Sequence, residues 1–184
     1  MLKRIAVFLC LLTAAYAKEP RLLADVPIRT PDLKKINLKQ YRGKSLILIM
    51  ISTTCKDCIA TVGIMSKIQK DLGPRGLQVV GAAFDPNAAY TIEPFTQRYK
   101  PGFPMGYLDK EAAIKIADMP PGKRPFVPIV LFIDPTGVVR QQYYGDDQVL
   151  KQAEKTLPAI AGSFVNFNAQ QAAPKKAAAP AAKQ

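Results

Sequence analysis

The sequence predicts an α/β fold: a central mixed sheet with helices on both faces. Three observations carry this. Apolar runs at 45–51 (SLILIMI), 77–84 (LQVVGAAF) and 129–133 (IVLFI) lack the alternation of half-exposed strands and read as strands buried on both sides. Segments with helical periodicity separate them. Asp134-Pro135-Thr136-Gly137 then supplies turn chemistry between the third run and 138–144, so those two should pair as a hairpin.

The elements follow in order. Residues 19–35 are polar and contain proline, without a periodic pattern. Residues 37–43 suggest a short helical turn ending at Gly43, ahead of the first buried strand. Over 56–72, Ile59, Val62, Ile64, Met65, Ile68 and Leu72 recur at helical spacing, and Gly73-Pro74 stops that helix. After the second strand, Asp85 can cap and Pro86 can open a helix reaching about Tyr99. A short strand within 101–108, a brief helix over 111–117, a loop at 120–122 and an amphipathic helix over 146–160 complete the pattern.

The termini have a different composition. Lys3 and Arg4, the apolar stretch 5–12 and Ala15-Tyr16-Ala17 have the order of an export signal cleaved near Ala17. The apolar stretch is short for a membrane span. Cys10 would be the lipidated residue of a lipoprotein, but Val7, Phe8 and Leu9 stand where small residues are expected. The expected organisation is therefore a signal at 1–17, one domain at 18–165 and a flexible Ala/Pro/Lys-rich tail at 166–184. Export places the chain in a periplasmic or secreted setting, where disulfides persist. The net charge of +12 is spread along the chain. It reads as a solvated surface with weak attraction to anionic envelope surfaces, and no basic-aromatic motif points to nucleic acid.

Without Cys10, the chain keeps Cys55 and Cys58, placed between the first buried strand and the long helix. Two cysteines three apart on a first helical turn can bring their sulfurs together. Backbone N–H groups and the helix dipole favour a thiolate at the first of them. Lys56 adds positive charge, which Asp57 partly offsets. Cys55 is thus the candidate nucleophile and Cys58 the resolving thiol of disulfide exchange. Zinc needs about four ligands, and a chain with no His and two remaining Cys offers too few, so no metal is expected. Covalent haem attachment needs His after the second cysteine, where Ile59 stands. A static structural disulfide closes too small a loop to restrict the unfolded chain much. Val127-Pro128, at the start of the third strand, is the second feature. A cis bond there would set the Val127 backbone beside the sulfurs, ready to pair with an extended substrate.

These pieces together resemble thioredoxin-like proteins of the bacterial envelope, the redoxin or TlpA/ResA group. The likeness covers residues 25–160. It rests on Pro31-Asp32, Tyr41-Arg42-Gly43-Lys44, SLILIMI leading into Cys55-Lys56-Asp57-Cys58, and Val127-Pro128 with IVLFIDPTG. The resemblance implies a thioredoxin-like three-layer α/β/α sandwich, catalytic Cys55 and Cys58, and substrate contacts at Val127 and Pro128. It implies protein thiols or disulfides and an envelope redox partner as partners, and no bound cofactor. Three positions depart from the group: Thr54 where Trp is usual, Thr61 where many members carry Glu, and Ile49 where thioredoxin has a buried Asp. The related peroxiredoxins use a Pro-x-x-x-Thr/Ser-x-x-Cys pattern with a distant Arg. Ser52 matches its hydroxyl position and Arg124 could supply the guanidinium, although Leu48 replaces the proline. Antioxidant thiol peroxidase activity is therefore the alternative activity. A non-catalytic binding module on the same fold is a further alternative.

Overall fold

The computed structural model describes residues 20–122 and 124–172. The expected export signal with Cys10, and the chain beyond residue 172, lie outside the described residues. The strands are β1 (Arg21–Leu22), β2 (Ile28–Arg29), β3 (Lys35–Ile36), β4 (Ser45–Ile51), β5 (Leu77–Ala83), β6 (Met105–Tyr107), β7 (Ile129–Ile133) and β8 (Val138–Tyr143). The helices are α1 (Lys56–Leu72), α2 (Ala88–Tyr99), α3 (Lys110–Ala117), α4 (Gln148–Lys151) and α5 (Ala153–Ala172).

One mixed sheet runs in the order β1-β8-β7-β4-β5-β6-β2-β3. β4, β5 and β6 are parallel neighbours, whereas β7 runs antiparallel to β4 and forms the expected hairpin with β8. All seven residues of β4 are buried, which explains their unbroken apolar run. Ile47, Ile49 and Ile51 point to one face, where α1, α2 and α5 pack. Leu46, Leu48 and Met50 point to the other, where Ile116 of α3 and Leu38 cover them. A helix-covered sheet is thus present, as expected, with both cores meeting through β4.

The structure differs from the expectation in four places. Residues 20–36 carry three two-residue strands, too short for any periodicity to show. β1 is held through Arg21, whose guanidinium donates to the Ile116 carbonyl at 2.9 Å and to Gln142 Oε1 at 2.6 Å. α2 begins at Ala88 rather than at Pro86, and the Asp85 carboxylate serves a distant loop instead of capping it. The last helix is broken at Gln152 into α4 and α5. α5 also continues through 166–172, where the sequence suggested tail. Phe164 meets Phe132 edge-on at 5.5 Å, and Asn168 Nδ2 donates to Ser45 Oγ at 2.8 Å. These contacts hold in helix a stretch whose composition resembles a linker.

Candidate active site

β4 delivers the chain to the Ser52–Thr54 loop and then to α1. Cys55 is the N-cap of α1, in extended conformation with φ −82° and ψ 122°. Its Sγ accepts the Cys58 backbone N–H at 3.3 Å, while its carbonyl accepts the first helical bond from Ile59 at 3.1 Å. A sulfur thus takes the place usually held by a Ser or Asp oxygen at a helix start. That position also places it in the positive end of the helix dipole.

The two free thiols are unequal. Cys55 is partly exposed, and Cys58 is fully buried. Burial pushes the Cys58 thiol up, and its hydrogen bond to the Cys55 sulfur and the nearby Asp57 carboxylate push the same way; the Ser52 backbone opposes them. Cys58 therefore holds its proton while Cys55 faces outward.

Thr53 fixes the loop before Cys55. Its backbone N–H donates to Asp85 Oδ1 at 2.7 Å, and its hydroxyl donates to Asp85 Oδ2 at 3.2 Å and lies 3.0 Å from Thr91 Oγ1. Asp85 stands just past β5, so the second strand's end clamps the loop that leaves the first. From the sequence Asp85 reads as a plain helix cap, since a tertiary acceptor has no local signature.

The Val127–Pro128 peptide bond is cis. Ile129 lies opposite Met50 across the β4–β7 ladder, so Pro128 is level with the end of β4, close to the cysteine loop. Val127 packs on the same core cluster as Cys55 and Cys58. Gly145 holds this segment from behind. Its N–H donates to the Phe126 carbonyl at 2.9 Å, and a Cβ there would lie 2.3 Å from the Val127 oxygen. Only glycine fits this approach; Gly145 also lies in the turn closed by the Asp147 N–H on the Tyr144 carbonyl at 2.8 Å, and nothing local in the sequence marks its approach to Val127.

Pro128 and Gly145 form one wall of a groove whose other wall is Asp57, Ala60 and Thr61 of α1, with Lys151 and Glu154 at its far side. Thr61 is buried, and its hydroxyl donates to the Asp57 carbonyl at 2.7 Å. Ile49 is buried in the apolar core. Neither position offers a carboxylate to Cys58. Of the other residues singled out in the sequence, Ser52 and Thr54 pair their hydroxyls at 3.2 Å, and Lys56 is exposed. Arg124 is exposed and lines a separate cleft with Asp85 and Tyr107.

Known proteins resemble this chain in sequence or in fold. The thiol-disulfide oxidoreductase ResA of Bacillus thuringiensis subsp. konkukian is 27% identical over 127 residues, 69% of each chain. A thiol:disulfide interchange protein of the thioredoxin family from Chlorobium tepidum superposes with a TM-score of 0.66 at 19% identity, covering 80% of this chain and 97% of that one. A thiol:disulfide interchange protein from Bacteroides sp. gives a TM-score of 0.63 at 14% identity, covering 82% and 91%. The fold is therefore the thioredoxin-like α/β/α sandwich. The AhpC/TSA family profile matches residues 22–142, a span that includes the cysteine pair and the cis-proline, and the chain belongs to the AhpC/TSA family.

Proposed function

We propose that the protein is an exported thiol–disulfide oxidoreductase that exchanges disulfides with protein substrates through Cys55 and Cys58. The observation that carries the reading is the asymmetry of the pair: a partly exposed sulfur at a helix N-terminus, accepting the Cys58 N–H, beside a fully buried one. The naming of ResA as a thiol-disulfide oxidoreductase supports it.

In the reducing direction, the Cys55 thiolate attacks one sulfur of a substrate disulfide. A mixed disulfide forms, and the other substrate sulfur leaves as a thiolate. Cys58 then gives up its proton and attacks the Cys55 sulfur. The substrate's second thiol departs, and a Cys55–Cys58 disulfide remains, so two electrons have passed from protein to substrate. With Thr61 and Ile49 standing where a proton-accepting carboxylate is usual, the departing substrate thiolate is the base that takes this proton. An envelope redox partner restores the dithiol. The Val127 backbone and the groove beside Pro128 and Gly145 hold the substrate segment, and loss of residues 1–17 releases the chain to the periplasm.

Insulin reduction driven by dithiothreitol tests the reading. Cys55→Ser should abolish it, and Cys58→Ser should accumulate mixed disulfides; unchanged turnover in Cys55→Ser removes the assignment. A thiol peroxidase is the second reading, favoured by membership of the AhpC/TSA family and by Ser52 three residues before Cys55. Reaction of hydrogen peroxide with Cys55 no faster than with free cysteine removes that one.

A further inference from the structure

The carboxyl ends of β4, β5 and β6 lie side by side, because these three strands are parallel neighbours. Cys55 follows β4, Asp85 follows β5, and Asp109 and Lys110 follow β6. With strands about 4.8 Å apart, the end of β6 stands roughly 10 Å from that of β4. Ligands of open α/β sheets gather at this end of the strands. A cleft opens there, walled by Tyr107 and entered by Arg29, Lys110 and Arg124. Arg29 comes to it from β2, which lies antiparallel to β6 with Arg29 opposite Tyr107. Arg124 comes from the segment leading to Pro128.

The charges in this cleft are unevenly used. Asp85 accepts from Thr53, and Asp109 accepts the Ala112 N–H at 2.8 Å as the cap of α3. The guanidinium groups of Arg29 and Arg124 and the Lys110 ammonium make no hydrogen bond or ion pair with any described residue. Three cations thus face solvent around two carboxylates that accept only from neutral donors, which leaves these five side chains with a net charge of +1. A cleft lined this way concentrates anions, and the effect weakens as salt rises.

We propose that this cleft binds the carboxylates of an acidic peptide segment next to the substrate's disulfide, so that acidic substrates are preferred. The proposal deepens the oxidoreductase reading, on which it rests, by naming a substrate class. It also gives Arg124 a role in recognition. The substrate cysteine sits over Cys55 at the end of β4, and its flanking residues extend across the β5 loop to Arg29 and Arg124.

The test uses three peptide disulfides that differ only in the two residues before cysteine: Glu-Glu, Gln-Gln or Lys-Lys. Reduction rates are measured with the wild type and with the triple variant Arg29→Gln/Lys110→Gln/Arg124→Gln, each normalised to the rate with dithiothreitol alone. At low salt the Glu-Glu peptide should react about tenfold faster than the Gln-Gln peptide, and the Lys-Lys peptide slower than both. The advantage should vanish in the triple variant and at high salt, with the Gln-Gln rate unchanged. Equal rates for the Glu-Glu and Gln-Gln peptides, or an advantage that survives the triple variant, overturn the proposal. A binding arm separates this outcome from failure of the redox reading. A Glu-Glu-Ser peptide, which has no thiol, should shift the NMR signals of Arg29 and Arg124 without any disulfide chemistry. If those signals stay still the cleft assignment falls, whatever the thiols do.

Discussion

Replacing Gly145 by Ala adds one methyl group at the most constrained point behind the candidate site. The new Cβ would lie 2.3 Å from the Val127 carbonyl oxygen and 2.7 Å from its carbon, both backbone atoms. An ordinary C···O contact is about 3.3 Å, so one segment must retreat by about 1 Å. Overpacking of this kind costs about 1–3 kcal/mol, and strain on the Gly145 N–H bond to Phe126 adds about 1 kcal/mol. The expected loss is about 2–4 kcal/mol, measured by urea unfolding of the reduced protein. The same retreat moves Val127 and Pro128 relative to Cys55. Misplacement of about 1 Å lowers a positioned reaction by up to about 100-fold, so insulin reduction should fall 10- to 100-fold. Gly63→Ala is the control: its Cβ meets nothing within 4 Å on an exposed face of α1. That change should add about 0.5–1 kcal/mol of stability and leave activity intact. A Gly145→Ala protein with wild-type stability and turnover would refute the packing argument and the positioning role drawn from it.

Asp85→Ala should cost about 2–3 kcal/mol, because it strands the Thr53 N–H beneath the cysteine loop, and should slow alkylation of Cys55. Asp85→Asn keeps an acceptor for that N–H and should recover most of both losses. Alkaline stability should report the raised Cys58 thiol. Above about pH 8.5 an unfolded cysteine ionises while the buried one stays protonated, so the unfolded state holds fewer protons and stability falls. The reduced wild type should lose up to about 1.4 kcal/mol more per pH unit than Cys58→Ala, seen in urea midpoints between pH 8 and 10. Phe164→Ala removes the ring that meets Phe132 at 5.5 Å and should destabilise by about 3 kcal/mol in thermal unfolding. No change there would mean that the later half of α5 does not belong to the core.

The parts of the fold that could be read from sequence are those whose burial is written in a run of residues. SLILIMI, LQVVGAAF and IVLFI are buried on both faces, and no alternation obscures them. The cysteine pair was equally legible, since spacing and the helix start follow from adjacent residues. What escaped was set by distant partners. Asp85 looks like a helix cap, and only the folded chain brings Thr53 to its carboxylate. Gly145 lies in a turn without a positive φ; its need to lack a side chain arises from the Val127 backbone 18 positions earlier. Residues 166–172 read as linker because the contact from Asn168 to Ser45 spans 123 positions of the sequence.

The central claim is a division of labour between two sulfurs, and competitive alkylation measures it directly. The reduced protein is treated with a limiting amount of iodoacetamide at neutral pH, and the adducts are mapped by mass spectrometry. A single carbamidomethyl group on Cys55, with Cys58 modified only after unfolding, is the predicted result. Equal labelling of both thiols, or faster labelling of Cys58, would contradict the account.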